Sequence, residues 1–337
     1  MTTTYIGHSL DESIRFKSSS GGIVTTIVKY LFDIKYIGTF LGCTFDEFRK
    51  EYVPTLVQSY EDYELVGSVY QDMDLVGFIR SHKDLIIGRI LVVCAPCQVK
   101  PIRHILKEAS IDSIIIDYFC SGQTTIEGTY KYYELLGLNK SDVKLIRYRG
   151  NGWPNGIEIE TIDGRLIKKD NYSEPWKTLH QSYIYRPKRC HFCRMVESTD
   201  ADISVGDPWL KDYLEQEKIG ANLFLVHSDF GQKLINIMNQ QHLVHIEETS
   251  YNLFIKSQWH NVRAKQAVAK RKIAKDKVLS IISNPQYFNW ATRNLRTIRL
   301  HIKLVACIFR YYNLKESSLK ENAVRLAKKL FNIFFCG

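Results

Sequence analysis

Five of the eight cysteines in this chain stand where thiolate chemistry would need them. Cys190 and Cys193 form a C-x-x-C turn that runs into a short alternating strand, Ile203 and Val205, ended by Gly206. A turn of that spacing puts two thiolates on one side of a tight loop, the pairing used by zinc, by an iron-sulfur cluster and by a redox disulfide. Upstream, LVVCAPCQVK carries Cys94 and Cys97, and DYFCSG carries Cys120, each at the end of an apolar run that reads as a buried strand. Cys97 and Cys120 follow neighbouring strands, so they can meet in space although far apart in sequence. Two C-x-x-C pairs have the composition of a four-thiolate zinc site. Yet ninety-two residues lie between Cys97 and Cys190, where zinc ribbons keep roughly 15 to 20. A thioredoxin-type redox pair is disfavoured, because neither pair is expected to open a helix in a βαβ unit.

A second group has the residue types of a phosphate cradle. Arg15 precedes Ser18, Ser19, Ser20, Gly21 and Gly22, and these lead into IVTTIVKYLFD, whose Ile23, Ile27, Tyr30 and Leu31 keep helical spacing. Serine hydroxyls, glycines that allow close backbone approach and the open N–H groups of a helix start suit an anion; a serine N-cap with a loose lead-in is the plainer reading. Arg147 and Arg149 are further cations for a phosphate or carboxylate, or structural arginines. Trp153 suits a flat ring or, more simply, a packed hairpin.

The elements that must position these groups read as an α/β (mixed α+β) body. An open sheet with a βαβ-like unit is expected, with an inserted hairpin region and a helical, basic C-terminal extension. Residues 36 to 70 pattern as paired strands, and Leu85 to Val93 as a strand. A helix from about Val99 to Ala109 and a strand from Ile111 to Tyr118 complete the βαβ-like unit. Residues 124 to 137 pattern as a helix, and GIEIETIDGRLIKK as a hairpin whose Asp163-Gly164 predicts a type I′ turn. Residues 220 to 247 read as strand, helix, strand. The boundary between body and extension is expected at residues 1–260 and 261–337.

At 337 residues and 45% hydrophobic, the chain can bury a large core. Eight cysteines are too few for a disulfide scaffold of this length, and no secretory leader pattern opens the sequence, so a reducing cytoplasm is expected. The net charge of +10 is unevenly held: from Asn261 onward seventeen Lys or Arg face three acids, a net +14, leaving −4 for the rest. Residues 297–312 set Ile298, Ile302, Val305 and Phe309 beside Arg299, Lys303 and Arg310, and residues 320–335 repeat the mixture. That composition suits docking on an anionic membrane surface, peripheral on the inner face; equally, it suits helices packed on a core with a basic outer face. Nucleic acid is a poorer partner, since no finger, basic-zipper or RNA-recognition signature is present.

Taken in order, these motifs resemble the beta subunit of coenzyme F420 hydrogenases and dehydrogenases. The resemblance is carried by Ser18-Ser19-Ser20-Gly21-Gly22, Ala95-Pro96-Cys97-Gln98, Phe119-Cys120-Ser121-Gly122, Arg149-Gly150-Asn151-Gly152-Trp153, and Cys190-x-x-Cys193 followed by Ala201 to Asp207. It implies a flavin-dependent iron-sulfur oxidoreductase. A [4Fe-4S] cluster would be held by Cys97, Cys120, Cys190 and Cys193, and FAD by Arg15, Ser18, Ser19, Ser20, Gly21, Gly22 and Arg149. Cys94 replaces a glycine of the family pattern. Relatives carry a ferredoxin-like cysteine run ahead of the serine-glycine segment, whereas here no cysteine precedes Cys43. A separate ferredoxin or the deazaflavin coenzyme F420 is then the implied electron donor. No acid-base pair stands out as catalytic. Membrane docking would suggest a lipid-linked substrate, such as an intermediate of envelope polysaccharide biosynthesis. The rival reading is a non-enzymatic, metal-stabilised protein that binds a membrane or nucleic acid through its tail.

Overall fold

The structure, a computed structural model, describes residues 2–269 and 272–312. Its strands are β1 (Thr3–Ser9), β2 (Thr39–Asp46), β3 (Glu51–Val57), β4 (Ile90–Cys94), β5 (Ser113–Tyr118), β6 (Val143–Arg147), β7 (Ile157–Thr161), β8 (Leu166–Lys169), β9 (Ile203–Gly206), β10 (Asn222–Val226) and β11 (Val244–Thr249). Two units divide the chain. The first comprises Met1–Ser121, Ser141–Asn171 and Met195–Val262; the second comprises Gly122–Lys140, Tyr172–Arg194 and Arg263–Gly337.

An eight-stranded sheet in the order β11-β1-β10-β9-β5-β4-β2-β3 is the frame of the first unit. Its centre is parallel: β2 pairs with β4, β4 with β5 and β5 with β9, while the flanking pairs are antiparallel. Central parallel strands are covered on both faces and must be apolar throughout. ILVVC and SIIIDY meet that demand, with Ile90, Leu91, Val92, Ile115 and Ile116 fully buried. On one face, helix Ile23–Asp33 packs Ile23, Ile27, Val28 and Leu31 with helix Asp229–Gln240 into a cluster containing Phe224 and Met238. Helices Leu75–His82 and Pro96–Glu108 meet Val92, Ile102 and Leu106 in another cluster. The βαβ unit is as expected, except that its helix begins at Pro96 rather than near Val99.

A smaller sheet, β6-β7-β8, belongs to the same unit. Its hairpin turn departs from the type I′ expectation: Gly164 is left-handed (φ +84°), but Asp163 is not among the residues of positive φ. Gly164 N–H bonds to Thr161 O and Thr161 N–H to Arg165 O, which is a turn followed by one left-handed residue. Asp163 instead accepts from the Thr161 hydroxyl.

Helices dominate the second unit: Ile126–Leu135, Trp176–Gln181, Lys272–Ile282, Pro285–Ala291 and Leu295–Tyr312. Asn284 caps the fourth by accepting from the N–H groups of Gln286 and Tyr287. Helix Leu295–Tyr312 buries Ile298, Val305 and Phe309, packing the last two with Val278 and Tyr183, while Arg299 and Lys303 face outward. These apolar residues are the ones put forward for a membrane interface; their burial leaves this helix as the packed alternative. Residues 320–335 and Cys336 lie outside the described residues. No described helix is long and apolar enough to cross a membrane.

Replacing Leu31, which is 1% exposed in the first core cluster, with alanine is expected to cost about 2–5 kcal/mol, read as a lower urea midpoint with an unchanged slope.

Candidate redox site at the strand ends

Parallel strands β4, β5 and β9 deliver their chemistry at their carboxyl ends, where open α/β sheets place ligands. Cys94 closes β4, Cys120 lies two residues beyond β5, and Asp207 follows β9. Cys97 stands in the first turn of helix Pro96–Glu108. Cys120 N–H bonds to Val196 O at 2.8 Å and Phe119 N–H to Val205 O at 2.9 Å, so the crossover backbone is fixed to its neighbours. Cys94 is fully buried and Cys120 nearly so, while Cys97 is partly exposed. All three lie near the phenol of Tyr118, which is pushed up first by burial and then by Cys120, Cys94 and Cys97.

The other expected ligands belong to the second unit. Cys190 sits in a short 3-10 turn, Lys188–His191, and is buried; Cys193 is partly exposed. Between them His191 is buried against Tyr183, with ring centroids 5.4 Å apart. Neither unit by itself, among the described residues, gathers three His, Cys, Asp or Glu side chains as a ready-made metal site. The four-cysteine set is divided two and two. Four thiols, two of them in a C-x-x-C turn, are a donor set that an iron-sulfur cluster or zinc could use.

Of the residues expected around a flavin, most are committed to the protein. Arg15 donates from Nε to Gly220 O at 2.8 Å and pairs with Glu217 at 3.0 Å. The Ser18 hydroxyl lies 3.4 Å from that of Thr25, and Ser20 donates to Ala221 O. Asn222 Oδ1 accepts from Ile23 N–H at 3.1 Å, occupying a donor of the helix start. Gly21 is required by the sheet: a Cβ there would stand 2.6 Å from Asn222 N and 2.7 Å from Gly7 O. Gly22, with φ +81°, sets the entry to the helix. We therefore expect Gly21→Ala to cost about 1–3 kcal/mol of stability with or without flavin, seen in the urea midpoint of flavin-free protein.

Ser19 and Arg149 differ. Ser19 is partly exposed, its hydroxyl accepting from Ser68 N–H and its carbonyl from Arg149 Nη2 at 2.7 Å. Arg149 is 1% exposed and pairs with Asp207 at 3.0 Å, while its Nη1 donates to Tyr70 Oη at 3.2 Å. Burial opposes its charge, but Asp207 and Tyr70 hold it above the usual arginine range. Its Nε has no acceptor. Trp153 is buried, stacks on Trp209 with centroids 5.6 Å apart, and donates from Nε1 to Asp207 Oδ1 at 2.6 Å, so it is a packing residue. Among the residues expected around a flavin, Ser19, partly exposed, and Arg149, with its unpaired Nε, are thus the least committed to protein neighbours. Asp207 as the acceptor for both Arg149 and Trp153 was not foreseen; the signal was Gly206-Asp207 itself.

Asp117 was also overlooked. It lies in register between Cys94 and Ser204 in the sheet, is fully buried, and neither carboxyl oxygen makes a hydrogen bond of ordinary geometry, although the Ser204 side chain is near. Burial raises its pKa from 3.8 to about 8. Between those values the folded protein keeps a proton that the unfolded chain releases, so this group makes stability fall as pH rises, levelling off above about 8. Asp117→Asn should remove that slope. Urea midpoints of variant and parent at about pH 5 and about pH 9 check it: their difference must change with pH.

Three comparisons bear on these geometries. Family models described as coenzyme F420 hydrogenase/dehydrogenase, beta subunit, match the chain over residues 4–78 (N-term) and 87–251 (C terminus). The F420-dependent formate dehydrogenase subunit beta of Methanocaldococcus jannaschii is 25% identical over 245 residues, 71% of this chain. The match spans 60% of that relative's length. In fold, the chain is similar to a chain of the xenon-derivatised F420-reducing [NiFe] hydrogenase complex from Methanosarcina barkeri. The TM-score is 0.60 at 16% identity, over 80% of this chain and 92% of the other.

Proposed function

Because the chain belongs to the family of coenzyme F420 hydrogenase/dehydrogenase beta subunits, we propose that it is an electron-transferring oxidoreductase subunit, built to hold a [4Fe-4S] cluster and FAD. The observation that carries this reading is the placement of Cys97 and Cys120 at the carboxyl ends of adjacent parallel strands, in a chain that also carries the Cys190-x-x-Cys193 turn. Cys97, Cys120, Cys190 and Cys193 would hold the cluster; Ser19 and Arg149 would meet a flavin phosphate. When bound, the cluster supplies one-electron transfer and the flavin exchanges single electrons for pairs. The residues around them supply burial and fixed dipoles, which tune a cluster's potential. Asp207 fixes Arg149, and Arg149 fixes the Ser19 carbonyl. Deazaflavin F420 or a ferredoxin is the proposed electron donor, the former named in the descriptions of both relatives.

Anaerobic reconstitution of the full-length protein with iron, sulfide and FAD tests this. The expected product carries a cluster and one flavin, with broad visible absorption. Colourless protein that takes up zinc instead overturns it.

A further inference from the structure

A row of polar side chains in the first unit leads from the sheet interior to the surface. It begins at Asp117 on β5, fully buried and without a hydrogen bond to either carboxyl oxygen. Burial opposes the charge of this group most, and of the neighbours that favour it the Ser204 side chain is foremost. Ser204 is the cross-strand partner of Asp117 on β9 and is itself fully buried. Its Oγ lies 2.9 Å from His227 Nε2. The other ring nitrogen, Nδ1, lies 3.1 Å from the hydroxyl of Thr2, an exposed residue. His227 follows the last residue of β10 and is fixed there by its own N–H, which bonds to Asp202 O at 2.9 Å. Each member suits a relay, since a hydroxyl donates one hydrogen while accepting another and a neutral imidazole accepts at one nitrogen and donates at the other. His227 is neutral because burial lowers its pKa to about 4, against the pull of Asp202. Two acids flank the ring. Glu197 Oε2 is 3.9 Å from Nε2, and Asp202 is paired with Arg103 at 3.0 Å, so an imidazolium formed in passing has carboxyls beside it. Asp117 is faced also by Cys94 from β4 and by Glu197 and the Ser198 N–H from the segment before β9.

We propose that Asp117, Ser204, His227 and Thr2 form a proton path, by which a carboxyl inside the sheet exchanges its proton with solvent while the strands stay paired. Outward, the Asp117 proton passes to Ser204 Oγ, the hydroxyl's own proton to His227 Nε2, and the Nδ1 proton by way of Thr2 to water. Inward, the same bonds form and break in the reverse order, so every group recovers its hydrogen and no charge is left behind. The step between Asp117 and Ser204 is the one that needs side-chain motion, because those two groups are not at hydrogen-bonding geometry. The use of the path rests on the redox reading of the strand ends. Asp117 adjoins Tyr118, beside whose phenol Cys94, Cys97 and Cys120 lie, so a proton has a route to follow an electron into that region. The path itself does not depend on that reading.

Infrared spectroscopy follows this proton directly. Full-length, iron-free protein at about pH 6, where Asp117 holds its proton, is mixed into heavy water. The carboxylic-acid carbonyl band that Asp117→Asn removes is then timed as it shifts on deuteration. In the same sample the amide II band reports the backbone N–H groups of the paired strands, which exchange only when the sheet opens. The carboxyl is expected to exchange fully while the protected amides keep their hydrogen. Ser204→Ala and His227→Gln should each slow it about tenfold or more, the effect of a raised barrier at one hop. Glutamine keeps hydrogen bonds at that position but does not take up a proton on one side and release it on the other. Lost stability alone acts in the opposite sense, since easier opening speeds exchange. A carboxyl that exchanges in step with the protected amides, or path variants that exchange as fast as the parent, overturns the proposal. So does slowing in Glu197→Gln but in neither path variant, or the absence of any carbonyl band that Asp117→Asn removes. The comparison of carboxyl with amide needs no path variant, so misfolding of Ser204→Ala or His227→Gln leaves the test intact. Because neither iron nor flavin is used, failure here is distinct from failure of the cluster reading.

Discussion

Asp207→Ala lowers the unfolding free energy of the protein by about 3–5 kcal/mol, the cost of breaking a buried ion pair from one side. The Arg149 side chain is 1% exposed, so water cannot replace the lost carboxylate. In the intact protein Asp207 Oδ1 accepts from Arg149 Nη2 at 3.0 Å and from Trp153 Nε1 at 2.6 Å, while Oδ2 lies 3.4 Å from Nη1. The alanine variant leaves the guanidinium to Ser19 O, Tyr70 Oη and the face of Trp209, 5.5 Å away. None of these carries a negative charge. Backbone contacts of Asp207, whose carbonyl accepts from Ser257 Oγ and Gln258 Nε2, survive the change. The loss is therefore electrostatic. Combining Asp207→Ala with Arg149→Met should recover part of it, because no charge is then stranded. Urea unfolding of both variants decides: a loss under about 1 kcal/mol for Asp207→Ala would mean that this pair does not hold the Ser19 and Arg149 loops together.

The second large effect concerns iron. After anaerobic reconstitution, Cys120→Ala and Cys190→Ala are each expected to lose the [4Fe-4S] cluster, because a four-thiolate site with one ligand removed binds labile iron at best. Cys43→Ala and Cys307→Ala should keep it. Cys43 is unsuited to ligation, since burial and then Glu64 push its thiol up to about 12. Cys94→Ala should also keep its iron. Iron and sulfide analysis with electron paramagnetic resonance of the reduced protein gives the answer. Were Cys94→Ala to lose iron while Cys120→Ala kept it, Cys94 would be the ligand and Cys120 the bystander.

How far the sequence reached depended on whether a signal was local. The apolar runs of β4 and β5, the Ile23–Asp33 helix and the strand-helix-strand near the end of the body are local patterns, and the fold contains all of them. β1 went unread. TTYIGHS has no apolar run, and it becomes a strand because β10 and β11 pair with it on both sides. The helix after β4 was placed three residues late, although Pro at a first helical position was there to be read in Pro96. Arg149 and Asp207 were each noticed within a motif, but their pairing spans 58 positions and leaves no trace in either motif. The serine-glycine loop shows the converse case: its residue types suit a phosphate, yet most of its donors and both glycines answer to protein neighbours.

The position of β1 has a consequence for biosynthesis. Thr3–Ser9 is made long before the strands it must lie between, residues 222–226 and 244–249. At about 5–20 residues per second of elongation, that strand waits roughly ten to fifty seconds before either neighbour exists. Throughout that interval Tyr5 and Ile6, both core residues in the finished sheet, belong to a segment open on two edges. Nascent chains are thus open to strand-on-strand aggregation through this segment until β10 is made, and a holdase that shields residues 3–9 during translation would raise the yield of folded protein without touching its final stability.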